Sequence, residues 1–279
     1  MLTKLKISVL VDNRASGTFL GEHGLSFVVR TEHGTILFDT GQGFVIEHNM
    51  NELACSPEDI DCIVLSHGHY DHTGGLDCIS RHIRQDTRFF LHPAALAAKF
   101  AKTPDGSKYI GIAPAVRDFL NNRMDRVFFT EQATEIFPDV FVTGYVPRIH
   151  GIEKRSTRFY LDKERTQHDA MSDDQSLFFR TERGTVVLLG CCHAGLANTL
   201  DCVANLADTD KIHAVIGGTH LRSANEELLD FAMAALDKYN VDIFAPCHCS
   251  GEKSSAYFYS KNPANFAECY AGAGFTFNI

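Results

Sequence analysis

The sequence predicts one α/β domain made of two related β-rich halves. Three observations carry that prediction. Short β-like runs alternate with helical ones along 279 residues, one segment echoes another at a fixed offset, and no Ser/Gly-rich linker divides the chain. The length allows a substantial core. A hydrophobic content of 44% and a charged content of 22% are ordinary globular values and exclude a disordered chain.

The strand-like runs are Leu5–Val11, Leu25–Arg30, Thr35–Phe38, Cys62–Ser66, Arg88–Leu91, Val140–Thr143, Ser176–Arg180, Thr185–Leu189, Ala214–Ile216 and Asp242–Ala245. Helical patterning covers Phe44–Leu53, Ala94–Lys102, Ala115–Asn122, Leu196–Ala207, Asn225–Tyr239 and Pro263–Tyr270. Asn225–Tyr239 places Leu228, Leu229, Ala232, Ala235 and Leu236 on one stripe, the spacing of a helix packed on a core.

The echo joins S-F-V-V-R-T-E-H-G-T-I-L-F from Ser26 to S-L-F-F-R-T-E-R-G-T-V-V-L from Ser176, 150 positions later. Hairpin turns converge, because E-x-G-T suits a tight turn. Six identities in thirteen positions favour duplication over convergence. At nearly the same offset the strand before His67 corresponds to Ala214–Ile216, which runs into Gly217-Gly218-Thr219-His220. Each half therefore offers a polar loop at a corresponding strand end.

Charge and cysteine usage narrow the function. A net charge of −9 argues against nucleic acid as partner, since phosphate neutralisation needs clustered Lys and Arg. Only modest basic patches occur, such as Lys154-Arg155 with Arg158. No apolar run reaches the ~18 residues of a membrane span, and the N-terminus reads as a strand rather than an export signal. The cytoplasm is the expected compartment, and nine scattered cysteines fit its reducing conditions.

Chemistry concentrates in V-L-S-H-G-H-Y-D-H-T-G-G, residues 64–75. After a strand, residues i and i+2 project to one side, so His67 and His69 can grip one ion together. A turn brings Asp71 and His72 round to a neighbouring position, and Gly74-Gly75 permit a tight entry into the next segment. Two adjacent N/O ligand sets suit two divalent metals about 3.5–4 Å apart. A closed structural zinc site would favour paired cysteines, so this pattern points to an open, catalytic one.

H-G-H-Y-D-H resembles the metal motif of the metallo-β-lactamase fold superfamily. The resemblance runs through nearly the whole chain, including F-D-T-G at Asp39, G-C-C-H at Gly190–His193 and P-C-H-C at Pro246–Cys249. It implies an αββα sandwich, two mixed β-sheets flanked by helices, with metals at one edge between the sheets. V-D-N at Asp12-Asn13, G-E-H-G-L-S-F at Gly21–Phe27, D-D-Q-S-L at Asp173–Leu177, G-G-T-H-L and P-C-H-C-S-G are further matches. Together they are similar to the branch named for 7,8-dihydropterin-6-methyl-4-(β-D-ribofuranosyl)aminobenzene 5′-phosphate synthase.

The resemblance implies a ligand set of His67, His69, Asp71, His72, His193 and His248 for two divalent ions, zinc ahead of manganese or iron. Where the superfamily usually carries an acid after glycine, this chain reads Gly190-Cys191-Cys192-His193, which leaves the bridging ligand open. Cys192 is a minor alternative ligand. Cys247 and Cys249 point away from His248 if the backbone there is extended. Asp174, ahead of Asp173, is either a ligand or the support of a ligand histidine. Asp39 is expected beneath the metal loop as a structural carboxylate. His220 and Asp71 are the catalytic candidates, Asn13 and Arg148 the substrate-binding ones. His23, His33, His48, His82, His92 and His213 read as structural or exposed.

Metal ions that lower the pKa of water towards ~7 would make a hydrolase of a small phosphorylated or ester substrate. One alternative is the branch's named reaction, joining a dihydropterin methyl diphosphate to an aminobenzene ribofuranose phosphate with loss of diphosphate. Another is a non-catalytic metal or ligand sensor. Residues 102–167 exceed a minimal sandwich and, with Tyr109, Phe119, Phe128, Phe129 and Tyr160, read as a cap over the site.

Overall fold

The computed structural model describes residues 1–154 and 156–278; Arg155 of the basic patch lies outside them. The strands in chain order are β1 (Lys4–Val11), β2 (Ser26–Thr31), β3 (Gly34–Phe38), β4 (Cys62–Val64), β5 (Arg88–Leu91), β6 (Phe100–Thr103), β7 (Gly106–Tyr109), β8 (Val127–Phe129), β9 (Thr134–Phe137), β10 (Val140–Val142), β11 (Phe159–Tyr160), β12 (Leu177–Thr181), β13 (Gly184–Leu189), β14 (Ile212–Gly218), β15 (Ile243–Cys247) and β16 (Gly274–Asn278). The helices are α1 (Ile46–Glu52), α2 (Tyr70–Thr73), α3 (Gly75–Ile79), α4 (Pro114–Asn121), α5 (Leu196–Ala207), α6 (Glu226–Lys238) and α7 (Glu252–Lys261).

One sheet runs β16-β1-β2-β3-β4-β5-β8 and a second β15-β14-β13-β12-β10-β9. Both are mixed. In the first, an antiparallel β1-β2-β3 meander continues into parallel β3-β4-β5-β8. In the second, antiparallel β10-β12-β13 continues into parallel β13-β14-β15. The echoed segments are the β2-β3 and β12-β13 hairpins, and they turn alike. Thr31 Oγ1 donates to the Gly34 carbonyl, and Thr181 Oγ1, 150 residues on, donates to that of Gly184.

Period-two alternation within the strands separates three apolar layers. Between the sheets lie Val9, Phe27, Val29, Phe38 and Val64 from one side, and Leu177, Phe179, Leu188 and Ile216 from the other. Val28, Leu37, Ile63 and Phe89 face outward beneath Ile46, Met50, Leu76, Ile79 and Val116 of the first helical layer. Phe178, Val187, Leu189 and Val215 face Leu196, Leu200, Leu229 and Leu236 of the second. The expected αββα order is observed. Among the described residues no helix is long and apolar enough to cross a membrane.

Three local expectations change. Ala94–Lys102 is not a helix: a single 3₁₀ turn, Pro93–Leu96, gives way to β6. The buried Lys99 ammonium is drawn inward between Asp169 and Asp173, and the next residues pair with β7 and β11 instead of coiling. Pro263–Tyr270 is not helical either, because Asn265 and Ala267 bond the backbone of Phe244 at the sheet edge. The helix there is the polar α7, which buries only Ser254 and Phe258 and so shows little periodicity. The extra region is also narrower than 102–167. Phe128 and Phe129 form the edge strand β8, and Phe119 packs on Phe89, leaving the small β11-β6-β7 sheet beside the site.

Candidate metal centre

Parallel strands in each sheet end at a shared edge, and the chain leaves them by unusual turns. Asp39 after β3, Cys192 after β13, His220 after β14 and His248 after β15 all have left-handed backbone, φ 59°, 57°, 54° and 52°. For a side-chain-bearing residue that conformation costs about 1–3 kcal/mol, held only where surrounding structure over-determines it. Here it falls in the loops that follow β3, β13, β14 and β15. Gly190 lets the halves meet, since a Cβ on it would lie 2.3 Å from that of Ser66.

Ring orientation is fixed from behind. Asp39 Oδ2 receives the Ser66 hydroxyl at 2.6 Å and His72 Nδ1 at 2.7 Å. Having donated to Asp39, Ser66 Oγ can only accept from His67 Nδ1, at 2.9 Å. His248 Nδ1 donates to Asn13 Oδ1 at 3.1 Å, and the His248 amide to Asp12 at 2.8 Å. The Nε2 atoms of His67, His72 and His248 are thereby left facing the centre.

Two sets converge. His67, His69 and His193 place ligand atoms within 4.8 Å of one another. Opposite them, His72 Nε2 and His248 Nε2 lie 3.2 Å apart, and Asp71 Oδ2 is 3.9 Å and 3.6 Å from them. Burial, reinforced by neighbouring imidazoles and cations, pushes His67, His69, His193 and His248 well below the usual histidine range, so they are neutral donors. His72 differs. Burial lowers it, but Asp39 and Asp71 outweigh that and raise it to about 9.

These residues fit divalent metals. The buried Nε2 atoms of His69 and His193 have no protein partner, and two pairs of ring nitrogens face each other at hydrogen-bonding distance. Buried neutral imidazoles converging with a carboxylate are the donors that zinc-type ions take.

The superfamily model for metallo-β-lactamases matches residues 20–136. Over 96% of its length the chain is 30% identical to 7,8-dihydropterin-6-methyl-4-(β-D-ribofuranosyl)-aminobenzene-5′-phosphate synthase of Methanocaldococcus jannaschii, spanning 95% of that protein. The chain belongs to the metallo-β-lactamase superfamily. The crystal structure of Tm1679, described as a metal-dependent hydrolase of the β-lactamase superfamily, is 30% identical and superposes with a TM-score of 0.79, covering 99% of this chain and all of that one. A diphosphatase from the PhnP family shares the fold at 14% identity, with a TM-score of 0.57 over 99% of this chain and 98% of its own.

Within this superfamily member the remaining candidates fall as follows. Asp173 does not reach the ligand sets; it receives the Gly68 amide at 2.8 Å and pairs with Lys99 at 2.9 Å, holding the His67–His69 loop. Asp174 receives the Ala194 amide at 2.8 Å and so braces the His193 turn. Burial raises its carboxyl to about 6 despite that bond. Arg148 donates to the His193 carbonyl and also lines the cavity over the centre. Asn13 lies on the other side of His248, in a separate cleft of about 560 Å³, so its observed contact is with the histidine. His220 stands at the mouth, its ring centroid 4.3 Å from that of His193.

Sequence reasoning missed three groups. His23, read as structural or exposed, places Nε2 3.2 Å from Asp71 Oδ2 and stacks on His248. Cys249 does not point away, because the left-handed turn at His248 breaks the alternation; its sulfur accepts from the His220 amide at 3.2 Å. Of the G-C-C-H pair, Cys191 rather than Cys192 meets the centre. Cys192 turns back to Thr199, whereas Cys191 Sγ is 3.2 Å from His72 Nε2. The position directly after Gly190 was the available signal.

Proposed function

We propose that this chain is a metal-dependent enzyme that hydrolyses a small phosphorylated molecule. One observation carries the reading. A cavity of about 470 Å³ opens over both ligand sets and is lined by Arg148, Lys154, Arg158 and Arg222, on a chain whose net charge is −9. Concentrating four cations there, against Asp71 and Asp169, suits an anionic substrate. Arginine forks match phosphate oxygens in paired bonds. Phe159, whose ring centroid is 5.0 Å from that of His69, offers a flat apolar wall for the rest of the molecule.

Divalent ions held by His67, His69 and His193 and by Asp71, His72 and His248 would supply Lewis acidity and lower the pKa of water. The chain's own part is positioning and proton transfer. The rim cations orient the phosphate, Phe159 excludes water, and His220 at the mouth is placed to hand a proton to a leaving oxygen. Turnover of phosphomonoesters and diphosphates in heavy-oxygen water tests this. Labelled oxygen in the released phosphate is expected; turnover without label overturns hydrolysis.

The full-length similarity to the synthase favours a second reading, a condensation that releases diphosphate. Two reactants need two places, and the cleft behind His248, lined by Asn13, Arg14, Arg222 and Lys253, is a second place. Unlabelled diphosphate formed only when both reactants are present would select this reading.

A further inference from the structure

We propose that Cys191 is a thiolate ligand shared by the two metal positions, taking the place of a bridging carboxylate. The proposal rests on the reading that both ligand sets hold metal. Its ground is position. Cys191 Sγ lies within 4.8 Å of ligand atoms of His67 and His72, of His193 and His220, and of His248 and Cys249. It therefore joins three groupings of potential ligands among the described residues and lies near members of both sets. Its sulfur is 3.2 Å from His72 Nε2, which Asp39 turns inward. His193 Nε2, buried and without a protein partner, belongs to the same neighbourhood.

No carboxylate competes for this place among the described residues. Asp71 reaches His23, His72 and His248 but groups with no member of the His67, His69 and His193 set, and Asp174 is committed to the Ala194 amide and joins no grouping. Nor do the neighbouring thiols. Cys192 faces Thr199 inside the second helical layer. Cys249 groups with Cys191 and His248 but with no member of the His67, His69 and His193 set.

A cysteine thiol without a metal ordinarily carries its proton at neutral pH, its usual pKa being about 8.5. Metal entry would break the S–H bond, release the proton to solvent and engage two lone pairs of the sulfur, one for each ion. Redox state is unchanged. A soft sulfur donor between the ions selects zinc or iron over manganese.

Zinc-edge X-ray absorption on the zinc-loaded protein, with metal content measured in parallel, tests the proposal. Two zinc ions sharing one sulfur give about one sulfur neighbour per zinc near 2.3 Å. That shell is expected in the natural protein and in Cys192→Ser and Cys249→Ser, and is expected to vanish in Cys191→Ser. Cys191→Asp guards against misfolding, since it should keep two metals while losing the sulfur. Two zinc ions with only nitrogen and oxygen neighbours would overturn the proposal and leave the two-metal reading standing. So would half a sulfur per zinc, or a shell that follows Cys249. A natural protein that holds fewer than two metals would overturn both.

Discussion

Asp39 Oδ2 lies 2.7 Å from His72 Nδ1, and the same oxygen reaches His67 through the Ser66 hydroxyl. One buried carboxylate thus aims a histidine from each candidate ligand set. Supports of this kind are worth roughly 10- to 100-fold in metal affinity. Asp39→Asn presents an amide N–H where two donors converge, so zinc affinity should fall by about that factor. Competition against a coloured chelator measures it, and an unchanged affinity would remove Asp39 from the centre.

Metal-free protein should be most stable near neutrality. His72 is raised to about 9 from 6.5, so its stabilising proton is fully in place below the unfolded value and is lost as pH rises through about 9. The shift corresponds to roughly 3 kcal/mol. His67, His69, His193 and His248 are pushed below 6.5, so stability should also fall as pH drops below that value. Urea titrations of metal-free and zinc-loaded protein across this range check both limbs. A flat alkaline limb without metal would contradict the His72 assignment.

Lys99 is 1% exposed and is shared by Asp169 and Asp173. Burial lowers its pKa, yet the two carboxylates outweigh that and the net direction is up. Lys99→Met strands both carboxylates, which should cost about 3–5 kcal/mol in chemical denaturation. Asp173 would also loosen its hold on the Gly68 amide, so metal content should drop together with stability.

Gly190 is a point of contact between the halves. In Gly190→Ala the new methyl would sit 2.3 Å from Ser66 Cβ, forcing apart the loops that carry His67 and Cys191. Overpacking of this kind costs about 1–3 kcal/mol. Thermal melts should show the loss, with weaker zinc binding beside it; full zinc affinity in a destabilised variant would mean that the loops relax independently.

The sequence by itself determined the two-half α/β plan and the His67–His72 loop. Both are written locally: a hairpin repeats its turn chemistry, and ligands at i, i+2, i+4 and i+5 follow one strand. Its failures were also local rules, overridden by distant partners. Ala94–Lys102 has a helical pattern, but a buried ion pair 70 and 74 residues away decides its path. Cys249 has the alternation of a packing residue, but one left-handed turn at His248 sends it to the centre. Only the tertiary structure brought His23 to Asp71, Asn13 to His248 and Cys191 to His72. These contacts span the two sheets or distant loops, and no spacing along the chain encodes them. They follow from how the strand ends face one another once the apolar layer between the sheets has closed.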